Sequence, residues 1–254
     1  FEDVLDDDGA GTRNIPVRVA VTIKGEKAVV DFRGTSGKVR GCLNTPLSVT
    51  TAATVYVFQC LAPEGMPLNS GPLRVIEIAV PWRTPAASAG TMSNTTFGGV
   101  NPGTGRKFAY YETIAGGMGG RFGKDGVSAV QTHMTNTLNT PIEAIERELP
   151  VMIDSYSIRE GSGGRGRFKG GDGIVRKYRF LTDATVSLIT ERRRHAPYGI
   201  EGGRNGKRGS NTLSRKGRAA VLPPKSTFTV RRGDVLEIRT PGGGGCGKPK
   251  THDR

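Results

Sequence analysis

The stretch IVRKYRFLTDATVSLIT, residues 174–190, contains two β-strand patterns, Ile174–Leu181 and Thr185–Thr190, on either side of a short polar turn. β-Branched and aromatic residues are frequent in both patterns, as is typical of strands. The region around them repeats this design with glycine-rich turns, and its other strand patterns are Val151–Ile158, Ala219–Leu222, Thr227–Val230 and Val235–Arg239. Short strands joined by such turns are typical of barrels and sandwiches. Residues 151–254 are therefore predicted to form a β-rich C-terminal part.

The first 150 residues mix helix and strand patterns. Val17–Ile23 alternates as a strand and predicts a hairpin with Lys27–Phe32. Two helices are predicted, Leu47–Leu61 and Pro141–Leu149, the second with Thr140 as its cap. Further strands are predicted at Leu73–Val80, Phe108–Ile114 and Val127–Met134, with a loop-rich stretch over Pro81–Gly105. The predicted class is α+β with few helices, in which a mixed part, 1–150, and a β-rich part, 151–254, belong to one subunit.

Composition limits the classes of protein and their location. The 254 residues carry a net charge of +14, so binding to a polyanion is one alternative. Three distant cysteines favour a reducing compartment over disulfides or a zinc site. No apolar run approaches a membrane span of about 18 residues and no signal peptide is visible, so a cytoplasmic location is expected. Because the chain begins with Phe1, we interpret it as a piece of a longer product.

Glycine is unusually frequent, with 38 residues, against an average share of about 7%. The run from Glu112 to Gly120 joins a carboxylate to an arc that contains Gly116, Gly117 and Gly119. Such arcs can bind anions through backbone N–H groups. No Gly-Lys-Ser/Thr follows, so the arc is not a P-loop. We predict a catalytic role for Glu112 and a substrate-binding role for the three glycines, whose arc would shape the site.

Polar side chains near one predicted strand end and in the loop-rich stretch supply the other candidates. His133 is a possible general base, with Thr135 and Asn136 beside it, although a lone histidine is more often structural. Asn94 lies in an uncharged polar stretch suited to recognising an amide, but equally suited to an ordered surface loop. We predict His133 as catalytic and Asn94, Thr135 and Asn136 as substrate-binding.

Eight segments, taken together and in order, resemble the hydantoinase B/5-oxoprolinase family, which also includes acetone and acetophenone carboxylase subunits. The segments are DFRGTS (31–36), VRGCLNTP (39–46), AGTMSNTTFGG (89–99), YYETIAGGMGG (110–120), THMTNTLNTP (132–141), GSGGRGRFKGGDG (161–173), TERRRHAPYGIEGG (190–203) and TPGGGG (240–245). The run from Arg159 to Gly203 is most similar to the oxoprolinase branch. The resemblance covers nearly the whole chain.

The resemblance implies a subunit of an ATP-dependent cyclic-amide hydrolase that opens 5-oxoproline, a hydantoin or a similar lactam. A separate A-type subunit would bind ATP with Mg and phosphorylate the amide oxygen, which implies a hetero-oligomer. The B-type subunit would position the activated ring and a water. The family's His and Asp metal cluster is implied in a portion N-terminal to this chain, so no metal ligand is assigned to it.

Two alternatives remain open at this point. The first is a subunit of an acetone-type carboxylase, which has the same scaffold. The second is a basic nucleic-acid-binding module, which we favour less than either enzyme because the arginines lie among strand patterns. The chain is shorter than the family pattern between Val80 and Thr84 and lacks the N-terminal half. We therefore expect it to be inactive without its partner and the N-terminal part.

Overall fold

The computed structural model describes residues 1–25, 27–37, 39–40, 43, 47–61, 63, 86–90, 92–132, 135 and 137–249. The chain divides into two compact units, an N-terminal unit, Phe1–Thr84, and a C-terminal unit, Pro85–Arg254. The division at residue 150 stays a prediction about domains, although strands from both sides of it share one sheet. Within the described part of the chain, no helix is long and apolar enough to cross a membrane.

The N-terminal unit contains two antiparallel strand pairs and one helix among its described residues. The pairs are β1 (Glu2–Asp7) with β2 (Arg13–Arg18) and β3 (Ala20–Lys24) with β4 (Lys27–Asp31), and the helix is α1 (Leu47–Leu61). The predicted hairpin and helix are confirmed. The single strand predicted over Val17–Ile23 is wrong, because Val17 pairs with Asp3 of β1 whereas Val21 pairs with Val30 of β4.

The C-terminal unit contains two antiparallel sheets and a short helix. The four-stranded sheet has the order β12 (Lys225–Val230), β9 (Ala184–Ile189), β5 (Ser93–Val100), β6 (Lys107–Ile114). The five-stranded sheet has the order β11 (Arg218–Val221), β10 (Ser210–Arg215), β13 (Val235–Arg239), β8 (Gly173–Phe180), β7 (Val151–Arg159). Helix α2 (Ile142–Glu148) directly precedes β7.

One apolar core joins the two sheets of this unit. The ring of Phe97 on β5 lies 5.7 Å from that of Tyr178 and 5.4 Å from that of Phe180, both on β8. Leu188 of β9 and Leu236 of β13 are fully buried in the same cluster. Because alternate residues of a strand point to opposite faces, each sheet presents one apolar face inward. The sheets form an open sandwich, and the predicted α+β class with few helices is confirmed among the described residues.

A second buried region is built from glycines. This glycine core comprises residues 116–120, 163–173, 198–206 and 241–246. Gly243 lies at its centre, where its N–H donates to Gly171 O at 2.9 Å and its carbonyl accepts from Gly164 N at 2.8 Å. A Cβ atom at Gly243 would lie 2.0 Å from Met118 O. The φ of Gly243 is not positive, so its backbone conformation does not require glycine. Glycine is required because the backbones approach each other so closely.

Three local predictions were wrong. Residues 93–100, predicted as loop, form β5, because Phe97 fills the core and neighbouring strands satisfy the backbone. The described part of the predicted strand Val127–Met134 pairs with the glycine core only at isolated points, such as Val130 N to Gly116 O at 3.0 Å. Helix α2 has Pro141 at its N-cap and no side-chain cap bond, so Thr140 is not the cap.

Candidate functional site

Glu112 is a buried carboxylate on β6, and five hydrogen bonds surround it. Its Oε1 accepts from Arg176 Nε at 3.2 Å and from the Tyr178 hydroxyl. Its Oε2 accepts from Arg176 Nη2 at 3.3 Å, Tyr110 Oη at 3.0 Å and Asn139 Nδ2 at 2.9 Å. The side chains of Glu112 and Arg176 are 3% and 1% exposed, so the pair is sequestered from water. Paired and hydrogen-bonded groups are the form in which charge is tolerated at such depth.

The guanidinium of Arg176 is also held by aromatic rings. Its central carbon lies 4.2 Å from the ring centroid of Tyr156 on β7 and 5.4 Å from that of Tyr178. Cation–π contacts of this kind are strongest where water is excluded. The Tyr156 hydroxyl donates to Asn139 Oδ1 at 3.1 Å. Residues from β6, β7, β8 and the segment before α2 therefore form one buried polar cluster.

A small polar cavity lies beside this cluster, next to β5 and β6. Its volume is about 20 Å³, the room needed for about one water molecule. All of its lining residues are uncharged: Ala89, Gly90, Met92, Ile114, Gly116, Val130, Gln131, Thr132 and Thr135. The hydroxyl and amide groups of this lining can donate to or accept from a neutral ligand.

The run Thr190–Arg194 borders this region through a second buried network. Lys225 Nζ pairs with the Glu191 carboxylate, and both side chains are at most 5% exposed. Arg193 Nη1 donates to Ser93 Oγ at 3.3 Å, at the start of β5. A Cβ at Gly90 would lie 2.9 Å from Arg192 Cγ, so the side chain of Arg192 passes close to the cavity rim.

The predicted site residues fall in different places. Gly116 and Thr135 meet in the polar cavity. Glu112 lies in the buried cluster, whereas Asn94 lies on the outer face of the four-stranded sheet, where its Oδ1 accepts from Tyr111 Oη at 3.1 Å. His133 and Asn136 lie outside the described residues. The roles assigned to all of these residues stay predictions.

Gly117 and Gly119 of the glycine arc do not offer their N–H groups to an anion. Gly117 N donates to Pro241 O at 3.0 Å, and Gly119 N donates to Ser88 Oγ at 3.1 Å. A phosphate cradle needs such donors unengaged. The arc therefore shapes the buried backbone beside the cavity. The part of the chain that the structure describes contains no group of three His, Cys, Asp or Glu side chains that could hold a metal ion.

Sequence reasoning missed the partners of Glu112. One signal was available, because Ile174, Arg176, Tyr178 and Phe180 alternate along β8 and so share one face. An arginine between apolar residues on a core-facing strand needs a buried acceptor. Asn139 carried no comparable signal, since its role follows only from where the segment before α2 returns to β6.

Comparison with known proteins places the whole chain in one family. The profile of the Hydantoinase B/oxoprolinase family matches residues 1–84 and 79–249. 5-oxoprolinase 1 of Arabidopsis thaliana is 39% identical over 97% of this chain, which spans 21% of that protein. A putative D-/L-hydantoinase subunit of a Pseudomonas species is 28% identical over 96% of the chain, which spans 49% of it.

Solved structures of low sequence identity share the fold. The ATP-dependent caprolactamase of Pseudomonas jessenii has a TM-score of 0.80 at 20% identity, over 98% of this chain and 51% of that one. A nucleotide-free acetone carboxylase has a TM-score of 0.71 at 16% identity, over 92% of this chain and 41% of that one. The match of the family profile to nearly every residue shows that the chain belongs to the Hydantoinase B/oxoprolinase family.

Proposed function

We propose that the chain is part of a B-type subunit of an ATP-dependent hydrolase that opens cyclic amides such as 5-oxoproline or a hydantoin. The observation that carries the proposal is family membership over nearly the whole chain, together with 39% identity to a 5-oxoprolinase. Because one relative is a putative hydantoinase subunit and a protein of the same fold is ATP-dependent, we assign ATP and Mg to an A-type partner subunit. Phosphorylation of the amide oxygen there would supply a leaving group.

The polar cavity supports a role for this chain in the second half of such a reaction. Its lining is uncharged, which suits a neutral ring or a water better than an ion. At about 20 Å³ it is smaller than a lactam ring, so we assign it to the attacking water. The hydroxyls of Thr132 and Thr135 would orient that water towards the activated carbon, a positioning effect that needs no charge.

Arg192 gives the proposed site one cation beside this cavity. Its side chain lies against Gly90 on the rim, and its guanidinium lies 5.9 Å from the ring of Tyr198. A guanidinium in this place could bind an oxygen of the phosphorylated intermediate. His133 and Asn136 belong by sequence to the same segment as Thr132 and Thr135, and we keep them as candidate catalytic and substrate-binding residues.

The test is turnover by the full-length B-type subunit that contains this chain, purified and mixed with its A-type partner. We expect ATP loss that depends on 5-oxoproline or a hydantoin and yields the ring-opened acid. Turnover of acetone with bicarbonate instead would identify a carboxylase, and no turnover of any cyclic amide would contradict the proposal. Tight RNA or DNA binding at physiological salt would favour the nucleic-acid alternative.

A matched pair of variants tests the cavity. Thr135→Val keeps the side-chain shape but removes the hydroxyl, and we expect turnover to fall roughly tenfold or more, as when a positioned donor is lost. Thr96→Val makes the same change on the exposed face of β5 and should leave turnover unchanged. Equal rates for the two variants would remove Thr135 from the site.

A further inference from the structure

We infer that Gln131 and Asn139 are positioning residues that clamp the two ends of the segment between them onto β6, with the buried Glu112–Arg176 pair as the anchor. The catalytic consequence rests on the proposed function, because this segment carries Thr132 and Thr135 of the cavity. The clamp itself rests only on contacts within the chain.

Both ends of the segment converge on a single residue of β6. Gln131 Nε2 donates to the carbonyl and to the hydroxyl of Thr113, each at 3.2 Å. Asn139 Nδ2 donates to the same carbonyl at 2.9 Å. Thr113 is 2% exposed, so these bonds form away from bulk water. Two residues eight positions apart, Gln131 and Asn139, are thus held at one point of β6.

Asn139 connects this closure to the buried cluster. Its amide nitrogen also donates to Glu112 Oε2, and its amide oxygen accepts from Tyr156 Oη. Asn139 therefore uses its amide nitrogen and its amide oxygen on three residues of two strands, β6 and β7. An amide with all of these partners has one orientation that satisfies them, so the chain on either side of it is fixed in direction.

Glu112 is suited to anchoring the segment because its acceptor sites are occupied. A carboxylate has about four lone-pair sites, and five donors surround this one. Burial raises the pKa of Tyr110 and, together with the nearby Glu112, outweighs the hydrogen bond with Thr140 that lowers it, so the phenol stays a donor at neutral pH. These five donors suit Glu112 to an anchoring role, and the catalytic role of Glu112 stays a prediction from the sequence.

Limited proteolysis measures the clamp independently of activity. Leu138 is 93% exposed, which makes it a chymotrypsin site whose cleavage depends on local opening of the segment. We expect Gln131→Ala to speed cleavage after Leu138 by roughly tenfold, the size expected for a lost buried hydrogen bond. Tyr156→Phe removes only the bond to Asn139 and should act in the same direction with smaller size. Neither variant alters the residues at the cleaved bond.

A surface ion pair between β7 and β8 provides the control. Asp154 pairs with Arg179 at 2.7 Å on the exposed side of β7, so Asp154→Ala should leave cleavage after Leu138 unchanged. Wild-type cleavage rates for both Gln131→Ala and Tyr156→Phe would overturn the inference. Cleavage that rises equally in Asp154→Ala would do the same, because it would show general loosening.

Glu112→Gln separates an anchor from a general base. As an anchor, Glu112 contributes through the segment, so its replacement should speed cleavage after Leu138 and lower kcat without changing the shape of the pH profile. As a general base, it would leave cleavage unchanged and remove one limb of the profile. If the wild type opens no cyclic amide, the proposed function fails, while the proteolysis result still decides the clamp.

Discussion

The sandwich core and the glycine core lie in the same unit of the chain and are held together in opposite ways. In the sandwich core, large side chains such as Phe97, Tyr178 and Phe180 fill the space between two sheets. In the glycine core, backbones meet directly, and a Cβ at Gly117 would lie 2.0 Å from Gly171 O. The first region draws its stability from buried apolar area, and the second from hydrogen bonds between backbones that only glycine allows so close.

This difference predicts that the glycine core is sensitive to added side-chain atoms, whereas the sandwich core is sensitive to their removal. A packed apolar core can relax partly around a missing group. A site closed on several sides by backbone has no flexible atom to move. One added carbon in the glycine core should therefore cost more than three removed carbons in the sandwich core.

The largest effect is expected from Gly243→Ala. The new Cβ would lie 2.0 Å from Met118 O and 2.7 Å from Gly119 N. Both distances are shorter than a van der Waals contact, so one of the two backbone segments would have to move. We expect a loss of about 4 kcal/mol or more in the free energy of unfolding, or no folded protein. Gly103→Ala, in an exposed turn with 3.4 Å to the nearest atom, is the control and should stay within about 0.5 kcal/mol. Similar urea midpoints for the two variants would contradict the comparison.

A smaller loss is expected from Leu188→Ala in the sandwich core. Leu188 is 1% exposed and its side chain packs between the sheets. Removal of buried methyl and methylene groups with partial collapse of the cavity should cost about 3 kcal/mol, measured by urea unfolding. A cost larger than that of Gly243→Ala would reverse the order of the two cores.

The smallest of the three effects is expected from Asp234→Asn at the start of β13. Asp234 accepts from Arg215 Nη2 at 2.7 Å and from Arg231 N at 2.8 Å. Burial works to raise the pKa of Asp234, but these hydrogen bonds and the nearby positive charges outweigh it and hold that pKa below its usual value. We expect Asp234→Asn to lower the free energy of unfolding by about 2 kcal/mol at pH 7.

The sign of the pH dependence follows from the lowered pKa of Asp234. Its contribution is fully present above the unfolded pKa of about 3.9 and is lost as the pH falls through the folded value. The difference between wild type and Asp234→Asn should therefore shrink in acid. Asp154→Asn, in a more exposed ion pair, should cost at most about 1 kcal/mol at any pH. A difference for Asp234→Asn that does not change between pH 7 and pH 3 would contradict this assignment.

Strand and helix positions with strong local patterns could be predicted, and those that depend on distant partners could not. The strands at 174–180 and 184–189 and the hairpin of β3 with β4 follow from apolar alternation and turn residues. β5 was predicted as loop because its sequence, SNTTFGGV, has only two apolar residues apart from glycine. It is a strand because β6 and β9 flank it and supply its hydrogen bonds.

By itself, the sequence determined the α+β class, most strands of the sandwich and, through eight ordered motifs, the family. The reason is that these properties are written in local pattern and in the order of segments along the chain. Only the tertiary structure decided that the glycines form a buried core and that Glu112 is enclosed by Arg176, Tyr178 and Asn139. These three partners lie 27 to 66 positions along the chain from Glu112. No local sequence pattern indicates which distant backbone or side chain a residue will contact.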